Sequence, residues 1–419
     1  MATGEWIEQR GWVRPDLGGA CFASLPGTIT ELLGARARSP VLPPSLLSRL
    51  AERYDRVAFV YFDAFGYDVA LRHRDHPLLE RAAADGVFER ITSQFPSTTT
   101  VHMTTVHTGL PVGEHGLYEW FVFEPGLERL IAPLPFVFAG DAHEPLPHDF
   151  TADRIYPPTT LYQVLAESAI SSAVAGPAGV AGSPTSAALI RGSTRQIGFL
   201  DVGDGLAQLA ATLAELPAPA YGFAYIDLLD TLLHKVGPLQ PADTGVDAEV
   251  TRVLDAIERR LLEALPDGTL VLLSADHGMS AVFPPKTIYL NEGPHADEIL
   301  AHLRREPDGH PLAPAGSCRD LFLHAEAGHV DDLVAVLAQE LGSRAEVRRA
   351  GELIDAGLFG ANPSALLLDR LGDVVVLPEL GEAVYWHTPG RFRQTLWGQH
   401  GGLTPQEMEI PLVALAAGG

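Results

Sequence analysis

The residues best suited to chemistry are the adjacent Asp276 and His277, in the stretch LVLLSADHGMS from Leu270 to Ser280. A carboxylate beside an imidazole offers a hard oxygen and a borderline nitrogen, a pair that suits zinc or a similar divalent ion. Alone, the pair reads more readily as a cap or turn than as a metal site, because Asp and Gly are ordinary turn residues. Asp63 follows another apolar run, RVAFVYFD, and by itself reads as a helix cap or as a metal ligand. Asp230 and His234 have the spacing that brings two side chains to one face of a helix or turn. His400 sits in a glycine-rich turn, WGQHGG, where a lone histidine is usually a loop residue. Residues 95–116 read FPSTTTVHMTTVHTGLPVGEHG, a hydroxyl-rich start to a helix. Unpaired N–H groups and the positive dipole end there favour an anion, and one hydroxyl among Ser97 to Thr100 is expected to cap the helix. His102, His107 and His115 lack the spacing of a helical ligand pair and are read as surface or supporting residues.

Three short apolar runs must position these groups: Arg56 to Phe62, Tyr221 to Ile226 and Leu270 to Leu273. Each is too short and too continuous for an amphipathic helix and reads as a buried strand, and each is followed at once by acidic residues. Open α/β sheets place their chemistry just beyond the carboxyl ends of such strands. Helices are expected at Pro77–Ala84, Thr160–Ser168, Gly205–Leu216 and Asp247–Leu265. The last carries Val250, Val253, Leu254, Ile257, Leu261 and Leu265 on one face. Further strands are expected at Ser172–Ala175 and Ile410–Leu415, with loop and short strands from Trp120 to Tyr156. Residues 1–50 are rich in Gly and Pro and are expected to wrap the surface. Residues 51–290 with 390–419 are expected to form the main domain that carries these groups, and residues 291–389 a small inserted α+β subdomain.

With 419 residues, 46% hydrophobic and 20% charged, the chain can bury a large core and is globular. A net charge of −24 argues against nucleic acid or an anionic membrane as partner, because both need clustered Lys and Arg. An anionic substrate would then require local cations, most naturally metal ions. The start MATGEWIEQRGW has no basic segment followed by an apolar one, and no apolar run approaches membrane-spanning length. Cys21 and Cys318 are far apart and outside any C-x-x-C pattern, so two free thiols in a reducing cytoplasm are expected.

The order of these pieces resembles the alkaline phosphatase superfamily, and most closely its nucleotide pyrophosphatase/phosphodiesterase branch. Four islands carry the resemblance: FDAFGYD, the 95–116 stretch, DTLLHKVGP with SADHG, and GQHGGLTPQEMEIPLV. Pro96 leads to Thr99 as in the family's nucleophile motif, and Thr108-Gly109-Leu110 and His115-Gly116 fall in step. The resemblance implies a doubly wound α/β/α sandwich with a mostly parallel central sheet. It also implies two divalent metal ions, zinc first with manganese or iron as alternatives. One would be held by Asp63, Asp276, His277 and Thr99, the other by Asp230, His234 and His400. Three carboxylates and a threonine alkoxide carry four negative charges, which two such ions neutralise. Thr99 would attack phosphorus, form a phosphothreonine ester and be released by water. The expected substrate is a small phosphodiester or nucleotide pyrophosphate. A phosphomonoesterase or phosphonate hydrolase of the same superfamily, or a non-catalytic metal-containing binding protein, are the other readings. Trp120 stands where the branch carries a phosphate-contacting Asn, and no Arg is assignable to the site. Preference for diesters over the more highly charged monoesters is therefore expected, with Trp120, Phe121 and Phe123 as an apolar wall. Oligomeric state is not legible.

Overall fold

The computed structural model describes residues 4–140, 143–238 and 245–418. Its centre is a seven-stranded sheet in the order Val87–Thr92, Glu409–Ala416, Leu270–Ser274, Arg56–Phe62, Ala220–Ile226, Ser171–Pro177, Arg195–Phe199. Leu270–Ser274, Arg56–Phe62 and Ala220–Ile226 lie side by side and parallel, with Val57 opposite both Leu270 and Tyr221. Their side chains are almost wholly buried, as strands covered by helices on both faces must be. Because the register ends Tyr61 against Ser274 and Phe62 against Ile226, all three chains leave the sheet at one level. Glu409–Ala416 is antiparallel to both its neighbours, so the sheet is mostly but not wholly parallel.

The expected helices and strands are present, with three differences. Arg195–Phe199 is an edge strand that the sequence did not announce; its side chains are mostly exposed, so no apolar run marks it. The helix expected over 247–265 is α-helical at Val246–Ala256, then widens to a π turn at Ile257–Leu261 and tightens at Leu262–Ala264. Leu261 and Leu262 are both buried there, as Val253 and Leu254 are in the regular part of the helix. Residues 1–50 do more than wrap the surface: Phe22, Leu25 and Ile29 are buried in the main core, and Phe22 packs edge-on against Tyr61.

Within 291–389 the strands Ala315–Ser317, Asp320–Leu323, Val374–Pro378 and Ala345–Arg349 form an antiparallel sheet, in that order, against which the helix Val330–Leu341 packs. Its core is continuous with that of the small three-stranded sheet Val122–Glu124, Arg129–Ala132 and Val137–Phe138. Among the described residues no helix is long and apolar enough to cross a membrane.

Cys21 and Cys318 are both unpaired and buried. Burial pushes the Cys21 thiol up to about 12 and the Cys318 thiol higher still. A thiol reagent at neutral pH should therefore label neither cysteine in the native protein and both after denaturation without reductant. A count of zero on the denatured chain would show a disulfide instead.

Candidate active site

Asp63 follows the Arg56–Phe62 strand, and its backbone N–H donates to the Ile226 carbonyl at 2.9 Å, which holds the turn against the next strand. Ala64 then takes φ 60°, the left-handed region that L residues avoid, and its N–H donates to Asp276 Oδ1 at 3.2 Å. The two strand-end loops touch through glycines. A Cβ on Gly66 would meet Gly278 Cα at 2.6 Å, and one on Gly278 would meet the Gln406 carbonyl at 2.2 Å. Asp230 and His234 share one face of the helix Leu228–Val236, with His234 Nε2 3.3 Å from Asp230 Oδ1.

Asp63 and Asp276 each have one oxygen committed to a hydrogen bond and another left over. Asp63 Oδ2 accepts from the Tyr225 hydroxyl at 2.6 Å, while Asp63 Oδ1, Asp230 Oδ1 and Asp276 Oδ2 are buried without a hydrogen-bond partner. Burial, with Asp276 and Asp230 nearby, pushes the Asp63 carboxyl well above the usual range, and burial also raises Asp230. Burial works against charge on Asp276 as well, but the adjoining His277 outweighs it and holds that carboxyl low. Such a group of carboxylates calls for a cation.

The histidines are oriented to receive one. The Nδ1 of His277, His234 and His400 lies 2.8, 2.8 and 3.0 Å from the carbonyls of Gly278, Gly398 and Ser97. Carbonyls only accept, so each Nδ1 carries a proton, and Nε2 is the nitrogen that each neutral ring would offer to a cation. His277 Nε2 lies 3.0 Å from Asp276 and 3.6 Å from Asp63, and His400 Nε2 lies 3.7 Å from Asp230. Asp63, Asp276 and His277 form one group of converging ligand atoms, and Asp230, His277 and His400 another. Thr99 Oγ1 is 3.4 Å from His277 Nε2, at the first residue of the helix Thr99–Thr108. All seven residues singled out in the sequence therefore meet in one place, and their donor set fits two divalent cations.

The helix Thr99–Thr108 is buried although most of it is polar, and most of its polar side chains hydrogen-bond to backbone carbonyls or to neighbouring residues. Thr104 and Thr108 donate to the carbonyls of Thr100 and Thr104 at 2.8 and 2.7 Å. His102 Nε2 accepts from the Gln94 N–H at 3.0 Å, so its Nδ1 donates to the Thr98 carbonyl at 2.7 Å and braces the residue before Thr99. Burial lowers His102 to about 4, and the ring stays neutral. His107 reaches Tyr162 at 2.7 Å and His115 reaches Thr105 at 3.1 Å; both are buried, not on the surface. No side chain caps the helix start, contrary to expectation: Thr98 Oγ1 and Thr100 Oγ1 are buried and unpartnered.

The family model described as type I phosphodiesterase/nucleotide pyrophosphatase matches residues 57–402, which spans the whole of this constellation up to His400. The chain belongs to that family. It is therefore a hydrolase of the phosphodiesterase and nucleotide pyrophosphatase type, and the family is metal-dependent. Murine ectonucleotide pyrophosphatase/phosphodiesterase 5 shares its fold at 20% identity and TM-score 0.64, over 85% of this chain and 87% of that one. An inactive variant of the murine protein in complex with AMP matches at 19% identity and TM-score 0.63, over the same shares of the two chains (85% and 87%). The human protein matches at 17% and 0.64, again over 85% and 87%. No curated relative matches the chain.

In this phosphodiesterase-family chain a cavity of about 420 Å³ opens onto Thr99, Asp230, His234 and His400. Trp120, Phe121 and Tyr385 supply aromatic wall, and Ser317 and Cys318 bring the 291–389 segment to it. Phe123 does not line it; it packs against His324 in the core. Arg393 does line it, which corrects the expectation that no Arg belongs to the site. Arg393 is exposed and has no ion pair among the described residues, whereas nearby Arg391 donates to the Ala139 carbonyl. Sequence reading also missed Arg319 and Glu407. Both are buried and joined at 2.9 and 3.0 Å, and Glu407 accepts from the Gly402 N–H at 3.1 Å, close behind His400. The T-P-Q-E pattern from Thr404 was the one local hint of Glu407.

Tyr225→Phe removes the hydrogen bond that orients Asp63 and nothing the fold depends on. It should weaken metal retention about 10- to 100-fold, seen as faster metal loss to a chelator at an unchanged melting temperature. Retention equal to that of the natural protein would remove Tyr225 from the supporting shell.

Proposed function

We propose that the protein hydrolyses phosphodiester or nucleotide pyrophosphate bonds with Thr99 as nucleophile at a two-metal centre, zinc being the first candidate. The observation that carries this reading is the set of three histidine Nε2 lone pairs facing buried, unpartnered carboxylate oxygens, with the Thr99 hydroxyl beside His277. Asp63, Asp276, His277 and Thr99 would hold one ion and Asp230, His234 and His400 the other. Such ions, when bound, supply Lewis acidity to the attacking and leaving oxygens. The protein's own residues do the rest. Thr99 Oγ, near the positive end of its helix, attacks phosphorus as the leaving alkoxide or phosphate departs, which gives a phosphothreonine ester. Water then attacks that ester, cleaves the Thr99 Oγ–phosphorus bond and restores the hydroxyl. A nucleotide substrate is supported by the AMP complex of the murine neighbour, and the exposed Trp120 face offers a place for a base to stack. A reducing, cytoplasmic setting is part of the same proposal, supported by the two unpaired thiols.

Thr99→Ala should lower turnover by about 1,000-fold or more with the fold kept, since it removes the group that forms the covalent bond. Thr98→Ala and Thr100→Ala should stay near natural activity, because their hydroxyls have no hydrogen-bond partner to lose. A dead Thr100→Ala beside an active Thr99→Ala would overturn the assignment.

Arg393 favours a second reading, in which the site accepts a more highly charged phosphate. The two readings are separated by kcat/KM for bis-p-nitrophenyl phosphate and p-nitrophenyl phosphate. Diesters are expected to lead. Arg393→Ala should cost the monoester about tenfold, or about 1.4 kcal/mol, and the diester much less. A natural enzyme that prefers the monoester tenfold would establish the phosphomonoesterase instead.

A further inference from the structure

Among the described residues outside the active site, two further groups of three join histidine to carboxylate, and their tautomers distinguish them. In the first, His76 Nδ1 accepts from the Leu78 N–H at 3.2 Å. Its proton is therefore on Nε2, which faces Asp255 at 3.4 Å. That nitrogen then has no lone pair to give a cation, although it is buried without a hydrogen-bond partner of its own.

The second cluster is different. His302 ends the helix Ala296–His302, His329 immediately precedes the helix Val330–Leu341, and Asp332 lies in the first turn of the latter. His329 Nδ1 is 3.2 Å from His302 Nδ1 and 3.2 Å from Asp332 Oδ2. The two rings stack at 5.0 Å and 29°. A neutral His329 has at most one proton on Nδ1. If it donates to Asp332, its Nδ1 cannot also accept from His302. If it accepts from His302, its lone pair also faces the carboxylate. The neutral rings meet both contacts only by splitting the one His329 Nδ1 proton between His302 Nδ1 and Asp332, whereas a cation among the three atoms meets all of them directly. The spacing suits such an ion: zinc–nitrogen bonds of about 2.0–2.1 Å in a tetrahedron place neighbouring ligand atoms about 3.3 Å apart.

We propose that His302, His329 and Asp332 form a further divalent-metal site on the 291–389 segment, suited to zinc and separate from the catalytic centre. Two imidazoles and one carboxylate match a borderline ion better than calcium or magnesium, which favour oxygen. The His329 and Asp332 side chains are 44% and 60% exposed, so water can complete the coordination and the ion can exchange. Bound metal would tie together two helices whose ligands lie 27 residues apart in the chain, closing that loop and stabilising the segment.

The test is zinc binding to chelator-stripped, full-length protein at equilibrium, measured by dialysis against buffered free zinc with elemental analysis. His302→Ala and His329→Ala should each bind one equivalent fewer than the natural chain and hydrolyse bis-p-nitrophenyl phosphate at an unchanged rate. Zinc should raise the melting temperature less in these variants. Asp332→Asn, which changes little in shape, should weaken the same equivalent. The readout is the difference of one equivalent, so it holds whatever the occupancy or activity of the centre at Asp63 and Asp230. Equal zinc content in the natural chain and both histidine variants would overturn the site.

Discussion

Three carboxylates, Asp63, Asp230 and Asp276, converge in the protein interior, each with a buried oxygen that has no hydrogen-bond partner. Like charges so close, removed from water, are among the most costly arrangements a fold can hold. Two divalent cations, received by these oxygens and by the histidine Nε2 atoms on the same spot, would offset that cost. The central strands exist to hold this group together. Their common register brings three chain segments out of the sheet at one level, and the loops that follow are pressed together glycine against glycine at Gly66 and Gly278.

Around that centre the protein divides the work between charge and orientation. Backbone carbonyls choose the tautomer of His234, His277 and His400, which costs no additional side chain and cannot be lost by a single substitution. Tyr225 and the Ala64 N–H aim Asp63 and Asp276. His102 braces the start of the helix that presents Thr99, and Arg319 with Glu407 braces the loop that presents His400. The Arg319–Glu407 pair also ties the 291–389 segment to the carboxyl-terminal strand. Removing either member would leave a buried charge unpaired, which typically costs about 3–5 kcal/mol.

The cavity wall is a less regular affair. Trp120 lines the cavity half exposed, and Arg393 arrives from a distant part of the chain as an exposed cation with no ion pair among the described residues. In a protein of net charge −24, one cation beside the metal centre has a disproportionate influence on how much negative charge a substrate may bring. Substrate choice is thus set less by the strands than by what the loops and the 291–389 segment lay over them.

What the sequence determined by itself was local. Asp63 and Asp276 follow short apolar runs, Asp230 and His234 lie one helical turn apart, and Thr99 stands at the start of a helix; each relation spans a few residues and leaves a readable pattern. The α/β architecture was legible for the same reason, because strands buried on both faces must be continuously apolar. That His400 belongs with these groups was legible only through resemblance to a family, since a histidine in a glycine turn has no periodicity to betray it. Arg393, the Arg319–Glu407 pair and the edge strand Arg195–Phe199 left no such trace. The first two depend on contacts between segments far apart in sequence, and the third has an exposed face with no apolar signature. Only the packed chain decides which distant residues meet, because that choice is made by how the elements close on one another and not by any residue's immediate neighbours.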